Sequence, residues 1–276
     1  MDITSPTRGA GFMIEVTNLS VKRGRKWIIE NLNFQAKNGE FTVIAGPNGS
    51  GKTTFFSALC QDLPYQGNIF YNGKNIKDYK PREKAFMRGV LPQSSALSFP
   101  YLVREVLSLG LLSGNAINEV LNGQDIALLA LQKVGLESYG GRFYQELSGG
   151  EQSRVQLARV LCQVWHAQYQ NQPCWLLLDE PVASLDIEHQ LVVMNIAKAF
   201  TKAGGGVIAI LHDLNLAASF ADKLILMKNG KIMYQGEPSS VITTQSLHEI
   251  YNCKIVINKI PAGNVPFVLP QTMQET

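Results

Sequence analysis

Closely paired cysteines are missing from this chain. Its four cysteines, Cys60, Cys162, Cys174 and Cys253, stand far apart, which excludes the short-spaced pairs of zinc sites and the dense frameworks of small secreted domains. The expected environment is a reducing cytosol. Long apolar runs are missing too: aliphatic stretches such as "WLLL" and "VIAIL" reach about a quarter of the ~20 residues a membrane-spanning helix needs. The start, MDITSPTRGAG, has no apolar core of signal-peptide type. Any link to a membrane is therefore expected to run through a partner. Nor is there a block of one charge. The 25 basic and 22 acidic residues give a formal +3 and are spread along the chain, too weak a bias for a nucleic-acid-binding face. No repeat or low-complexity segment breaks the texture.

What is present is apolar material for a large core. With 276 residues and 45% hydrophobic content, the chain can bury roughly 70 to 75% of its unfolded surface, as one elaborated domain or two small ones. Residues 12–45 alternate apolar and polar positions around Asn38-Gly39 and predict strands joined by a turn. "FTVIAG" followed by a glycine-rich loop and "KTTFFSALC" reads as strand, loop and helix. "CWLLLD" and "GGVIAIL" then alternate with helical patterns at 186–203 and 214–221, the order a parallel α/β sheet requires. Between about 94 and 150 the segments "LVREVLSLGLL" and "DIALLALQKVGL" predict a helical subdomain inserted into that core. "AQYQNQP" (167–173) reads as a polar connector and "LMKNGKIMYQG" as a hairpin. The remaining residues leave room for a short helical tail and one strand pair.

"GPNGSGKT" matches G-x-x-x-x-G-K-[ST] in the strand-to-helix context the motif needs. In the run Gly46, Pro47, Asn48, Gly49, Ser50 and Gly51, the glycines at 46, 49 and 51 would let successive backbone N–H groups turn inward around a β-phosphate at the positive end of a helix. Lys52 would reach the β- and γ-phosphates, the Thr53 hydroxyl would bind Mg2+, and Thr54 would touch the α-phosphate. Such a loop alone leaves kinase, GTPase and motor readings open. "CWLLLDEP" decides more, because the carboxyl ends of parallel strands are where α/β sheets bind ligands. Asp179 fits a second holder of Mg2+, direct or through water, which leaves Glu180 to polarise a water in line with the γ-phosphate.

"LSGGE" (147–151) lies between the phosphate loop and the acidic strand, with Gln93 before it and "SLD" (184–186) and His212 after. In this order and spacing, over about residues 12–240, the sequence resembles the ATP-binding subunits of ABC transporters. The resemblance implies an α/β fold: a P-loop NTPase core with a parallel sheet, an N-terminal antiparallel β subdomain, the helical insert, and a short tail at 241–276. It also implies roles. Ser148, Gly149 and Gly150 form a second anion-binding helix N-terminus that caps the γ-phosphate held by another copy, in a head-to-tail dimer. Gln93 senses Mg2+ and the attacking water, His212 contacts the γ-phosphate, and Asp186 sits near the partner's "LSGGE" segment, the family's signature. Glu151, an acid where some members carry Gln, suits the positive end of the helix dipole. Arg154 and Arg159 read as a solvated helix face.

One position departs from the family. Where many members stack adenine on an aromatic residue, spacing puts Arg23 here, whose guanidinium can also stack. Trp27 is a less well placed substitute, so loose base selectivity is expected. Within the family, "LSGGEQSRVQLARVLCQVW" and "LHDLNLAASFADKLILMKNGKI" are similar to ATPases of haem importers, with iron-siderophore and cobalamin importers as alternatives. The implied partners are a second copy of the chain, two transmembrane permease subunits and, indirectly, a periplasmic or surface substrate-binding protein, with no nucleic acid. The implied place is the cytoplasmic face of the inner membrane. Apolar and aromatic residues of "SFPYLVREV" (98–106) would line a groove for the permease or fill the subdomain core. A soluble cassette of DNA repair or translation usually carries two cassettes or a coiled coil. A phosphotransferase would need neither "LSGGE" nor an acid poised for water, and Glu180 disfavours a non-hydrolysing binder.

Overall fold

Alternating apolar and polar side chains govern the first described residues, and the chain answers with strands. The computed structural model describes residues 13–93, 99–115, 123–260, 263, 266, 268 and 269. Strand β1 (Met13–Arg23) turns at Gly24 into β2 (Lys26–Lys37), pairing antiparallel from Met13 against Lys37 to Arg23 against Lys26. Asn38-Gly39 leads on to β3 (Phe41–Ala45), which joins a different sheet and is buried at all five positions. That turn moves the chain between sheets instead of closing a hairpin. Helix α1 (Lys52–Cys60) is followed by β4 (Tyr65–Tyr71) and β5 (Lys74–Asn75), which complete a four-stranded antiparallel sheet of order β2-β1-β4-β5.

Helix α2 (Pro81–Met87) runs into β6 (Arg88–Leu91). Three helices follow, α3 (Val103–Ser113), α4 (Gly123–Lys133) and α5 (Gly149–Gln163). The expected polar connector folds as a two-residue hairpin, β7 (Gln168–Tyr169) and β8 (Gln172–Pro173), turning on Gln170 and Asn171 at positive φ. Then come β9 (Trp175–Asp179), α6 (Ile187–Lys202), β10 (Gly206–Ile210), α7 (Leu214–Phe220), β11 (Lys223–Lys228) and β12 (Lys231–Gly236). Two short helices follow, α8 (Pro238–Val241) and α9 (Thr244–Tyr251). No described residue beyond 236 forms a strand, so the expected strand pair is not found there.

The second sheet has the order β12-β11-β3-β10-β9-β6 and is parallel except for β12. Its period-two alternation feeds two cores. Ile44, Leu177, Ile208, Ile210 and Ile225 face the antiparallel sheet and α1, while Val43, Leu176, Leu178, Val207 and Leu224 face the helical side. On that side α3 and α4 pack against α5, and Val103, Val106, Leu107, Ile126 and Leu131 are buried. Val103 and Val106 therefore serve the core, whereas Phe99 is 67% exposed, its ring edge-on to Tyr101. Ser98 lies outside the described residues. All four cysteines are free thiols, and burial pushes Cys60, Cys162 and Cys174 up to about 12.

The expected solvated face for Arg154 and Arg159 is wrong. Arg154 is 8% exposed and its guanidinium donates to the carbonyls of Val134 (2.9 Å) and Gly135 (3.5 Å) just beyond α4. Arg159, half-buried, donates from Nε to Gln156 Oε1 at 2.8 Å. Helical spacing places both residues, but the segment after α4 covers Arg154, and Arg159 is drawn in beside Gln156 and Tyr144. Arg154→Leu should leave the Val134 carbonyl unpaired at a cost of about 1 to 3 kcal/mol. The expected result is a melting midpoint lower by several degrees, read by differential scanning calorimetry; an unchanged midpoint would remove this role.

Candidate nucleotide-binding site

Parallel pairing brings four loops to one edge of the sheet. Ile44 pairs with Ile210, Ile210 with Asp179, and Leu178 with Leu91. The residues immediately after β3, β10, β9 and β6 must then emerge side by side. These are the glycine-rich loop, His212, Glu180 and Gln93, the positions the sequence singled out.

The loop after β3 closes tightly on its surroundings. Gly46 has φ +147°, and a Cβ there would lie 2.2 Å from the Met227 carbonyl of β11, so no side chain fits. Lys52, 5% exposed, donates from Nζ to the carbonyls of Gly46 (2.8 Å) and Pro47 (3.1 Å). Burial lowers its pKa, against the opposing charges of Glu180 and Asp179. Asn48, Gly49, Ser50, Gly51, Lys52, Thr53 and Thr54 line a cavity of about 310 Å³ together with Arg23, Ile28 and Glu180. Arg23, not Trp27, is thus the base-stacking candidate at the cradle. The Trp27 ring instead carries the Lys22 ammonium 4.2 Å from its centroid.

Glu180 sits in the left-handed region at φ +53°, which costs a residue with a side chain roughly 1 to 3 kcal/mol. The neighbours fix it there. Its N–H donates to the Ile210 carbonyl (3.2 Å), its Oε2 accepts from Gln93 Nε2 (3.0 Å), and its Oε1 lies 2.7 Å from His212 Nε2. His212 is held at the start of α7, whose N-cap Asp213 accepts from the N–H groups of Asn215 and Leu216. Three residues from three strand ends form one hydrogen-bonded row, with the carboxylate in the middle.

Asp179 is 4% exposed and its Oδ1 makes no hydrogen bond; the buried Ser50 Oγ is likewise unpaired. Burial, then the charge of Glu180, pushes the Asp179 carboxyl up to about 6, with Lys52 acting the other way. Among the described residues no group of three or more His, Cys, Asp or Glu could hold a metal alone. An unpaired buried carboxylate oxygen and the half-buried Thr53 of the cradle fit Mg2+, which takes few protein ligands and completes its shell with water and phosphate oxygens.

The signature turn stands across a second cavity of about 310 Å³, lined by Gln93, Glu180 and Gly149 among others. Ser148 N-caps α5, accepting from the Glu151 N–H (3.3 Å), while Glu151 accepts from the Ser148 N–H (2.8 Å) and from the Tyr139 hydroxyl (2.8 Å). These bonds hold the Glu151 carboxyl below its ordinary range. A Cβ on Gly149 would meet nothing within 4 Å, whereas Gly150 lies under the Ser184 carbonyl. None of Ser148, Gly149, Gly150 and Asp186 lines the cradle of its own chain. Asp186 caps α6, accepting from the His189 N–H (2.9 Å) and pairing with His189 Nδ1 (2.6 Å). Sequence reading missed Tyr139, which shapes the signature turn, and gave Ser184 of "SLD" no role there. Their spacing carries no signal, since both arrive through tertiary contacts.

Comparison with known proteins agrees with the geometry. A family described as "ABC transporter" matches residues 29–183. Hemin import ATP-binding protein HmuV of Bartonella henselae is 52% identical over 262 residues, 95% of this chain and 98% of its own. The protein of the same name from Rhizobium etli is 52% identical over 257 residues, 93% and 97% of the two chains. In fold, the chain is similar to the ADP conformation of an ATP-binding cassette of an ABC transporter (TM-score 0.72, 23% identity, 88% and 99% covered). It is also similar to a dimeric, post-hydrolysis cassette bound to ADP and Pi (TM-score 0.69, 25% identity, 82% and 98% covered).

The raised Asp179 pKa sets a stability test. A carboxyl that holds its proton more tightly when folded contributes stability below its unfolded pKa of about 3.8, lost as pH rises through about 6. At pH 7.5 the ionised group opposes folding. Without nucleotide, Asp179→Asn should therefore melt a few degrees above the unsubstituted chain at pH 7.5, with the gap closing towards pH 4. Equal midpoints at pH 7.5 would show that the carboxylate is not strained.

Proposed function

The chain belongs to the ABC transporter ATPases, and from that premise we propose that it is the motor subunit of a haem import system. ATP binding and hydrolysis come with the family. The cargo rests on one observation: 50–53% identity, over most of the chain, to proteins named for hemin import. Iron-siderophore and cobalamin uptake are the alternatives. Residues 12–240 form the nucleotide-binding domain, about 94–150 the helical insert, and 241–276 the tail.

The chemistry follows from the row of strand ends. The backbone N–H groups of Gly46 and of Asn48 to Thr54, at the N-terminus of α1, bind the phosphates, and Lys52 neutralises the β- and γ-phosphates. Thr53, Asp179 and Gln93 would hold Mg2+, which would screen the charge on the phosphate oxygens. Glu180 orients and deprotonates the attacking water; its contacts with Gln93 (3.0 Å) and His212 (2.7 Å) support that part. His212 then stabilises the charge developing on the γ-phosphate, and the planar Arg23 guanidinium offers a face to the base.

The dimeric relative bound to ADP and Pi supports a head-to-tail pair of cassettes here. Ser148, Gly149 and Gly150 of one copy would cap the γ-phosphate in the other's cradle, with Asp186 beside the junction. Loss of that bridge on hydrolysis opens the pair. Among the described residues no helix is long and apolar enough to cross a membrane. The work is delivered to two permease subunits, fed by a substrate-binding protein, with the cassettes on the inner membrane's cytoplasmic face.

Glu180→Gln should cut phosphate release by roughly 10² to 10⁴ while trapping an ATP-bound dimer in size-exclusion chromatography; turnover near the unsubstituted rate would refute the water-activating role. Ser148→Arg should abolish hydrolysis but leave ATP binding by the isolated subunit intact, and loss of that binding would contradict capping in trans. For the cargo, the chain copurified with its permease should drive ATP-dependent haem uptake into proteoliposomes. Uptake of ferric siderophore or cobalamin instead would move the assignment to that importer.

A further inference from the structure

The start of α5 is held from the side by the segment that follows α4. Glu151 and Arg154 lie on one face of α5, and both meet that segment. Arg154 donates to the Val134 and Gly135 carbonyls (2.9 and 3.5 Å), while Glu151 Oε1 accepts from the Tyr139 hydroxyl (2.8 Å). The segment is itself fixed. Val134 and Leu136 are buried, and the Tyr139 ring packs against the core with the Arg142 guanidinium over it, 4.0 Å from the ring centroid. The carbonyls of Gly140 and Arg142 accept from the N–H groups of Arg104 (3.1 Å) and Val103 (2.9 Å), at the start of α3. Such N–H groups have no partner inside their own helix. Tyr139 thus stands on a turn seated against α3 and reaches across to α5.

The Glu151 carboxylate divides its two oxygens. Oε1 takes the Tyr139 hydroxyl, and Oε2 takes the Ser148 N–H (2.8 Å). In return the Glu151 N–H donates to Ser148 Oγ (3.3 Å). A serine oxygen that accepts in this way keeps its own O–H free to donate elsewhere. On the opposite side the Ser184 carbonyl closes over Gly150, and Gly149 stays open. A partly exposed glutamate gives up rotamer freedom to hold a backbone N–H. The Tyr139 hydroxyl, carried on a packed ring, removes that freedom before any ligand arrives.

We propose that Tyr139 is a positioning residue for ATP hydrolysis in the cradle of the other copy: by holding the Glu151 carboxylate on the Ser148 N–H, its hydroxyl keeps the signature turn set to cap a γ-phosphate. A turn already fixed loses less freedom when the pair closes on nucleotide. The contact therefore acts on closure and turnover, not on ATP binding by one chain alone. The inference rests on the reading that the signature turn caps the γ-phosphate in trans.

Tyr139→Phe keeps the ring, its packing and the Arg142 contact and removes only the donor. In the full chain it should lower kcat for ATP hydrolysis roughly fivefold, the loss of one hydrogen bond. Kd for a fluorescent ATP analogue on the isolated subunit should not change. In the Glu180→Gln background the same substitution should raise the ATP concentration needed to trap the dimer by a similar factor. In a Glu151→Ala background it should lower kcat no further, because the hydroxyl acts through that carboxylate. Ser148→Arg is the control for capping itself. If Ser148→Arg still hydrolyses ATP, capping in trans fails and this role fails with it. If Ser148→Arg is inert but Tyr139→Phe turns over at the unsubstituted rate, the role of Tyr139 alone is overturned. Losses that add in the Glu151→Ala background, or a lower melting midpoint with unchanged turnover, would reduce Tyr139 to a packing residue.

Discussion

Parallel hydrogen bonding between β3, β10, β9 and β6 is the constraint from which the site follows. Pairing fixes the ends of neighbouring strands at the same level, so whatever follows each strand is delivered to one line. The chain uses that line for a phosphate loop, a histidine, a carboxylate and a glutamine. None has to travel far or be held by a long loop. This is why open α/β sheets keep their ligands at the carboxyl edge. Burial on both faces keeps the line rigid, since β3, β9 and β10 are each buried throughout.

The same edge stores unfavourable local states that the surrounding fold enforces. Glu180 occupies left-handed backbone, Asp179 keeps an unpaired buried oxygen, and Lys52 is buried with its ammonium on backbone carbonyls. Each is costly by itself. Together they describe a site whose charges are arranged for a polyphosphate and a divalent cation rather than for the stability of the chain alone.

The helical layer is arranged by opposite means. Its residues owe their places to helix-on-helix packing, and its polar groups are satisfied within it. Arg154 pairs with the carbonyls beyond α4, and Glu151 and Ser148 cap one another at the start of α5. This fixes the signature turn on a firm helix end while leaving Gly149 open. The turn is built to be approached, which suits a surface completed by a second copy.

Local chemistry was enough to reveal the phosphate loop, the acidic strand end, the order of strands and helices, and the capped signature helix, because each depends on residues adjacent in sequence. Period-two alternation marked β1 to β3, and helical spacing placed α6 and α7 within a residue of their bounds. The fate of Arg154 and the hairpin at 168–173 could not be read that way. Each depends on which distant segment covers a residue or abuts it, and spacing carries no record of such neighbours. The sequence by itself determined which groups could meet a triphosphate. Only the tertiary structure decided that Glu180 lies between Gln93 and His212, since that row arises from strands brought side by side from remote parts of the chain.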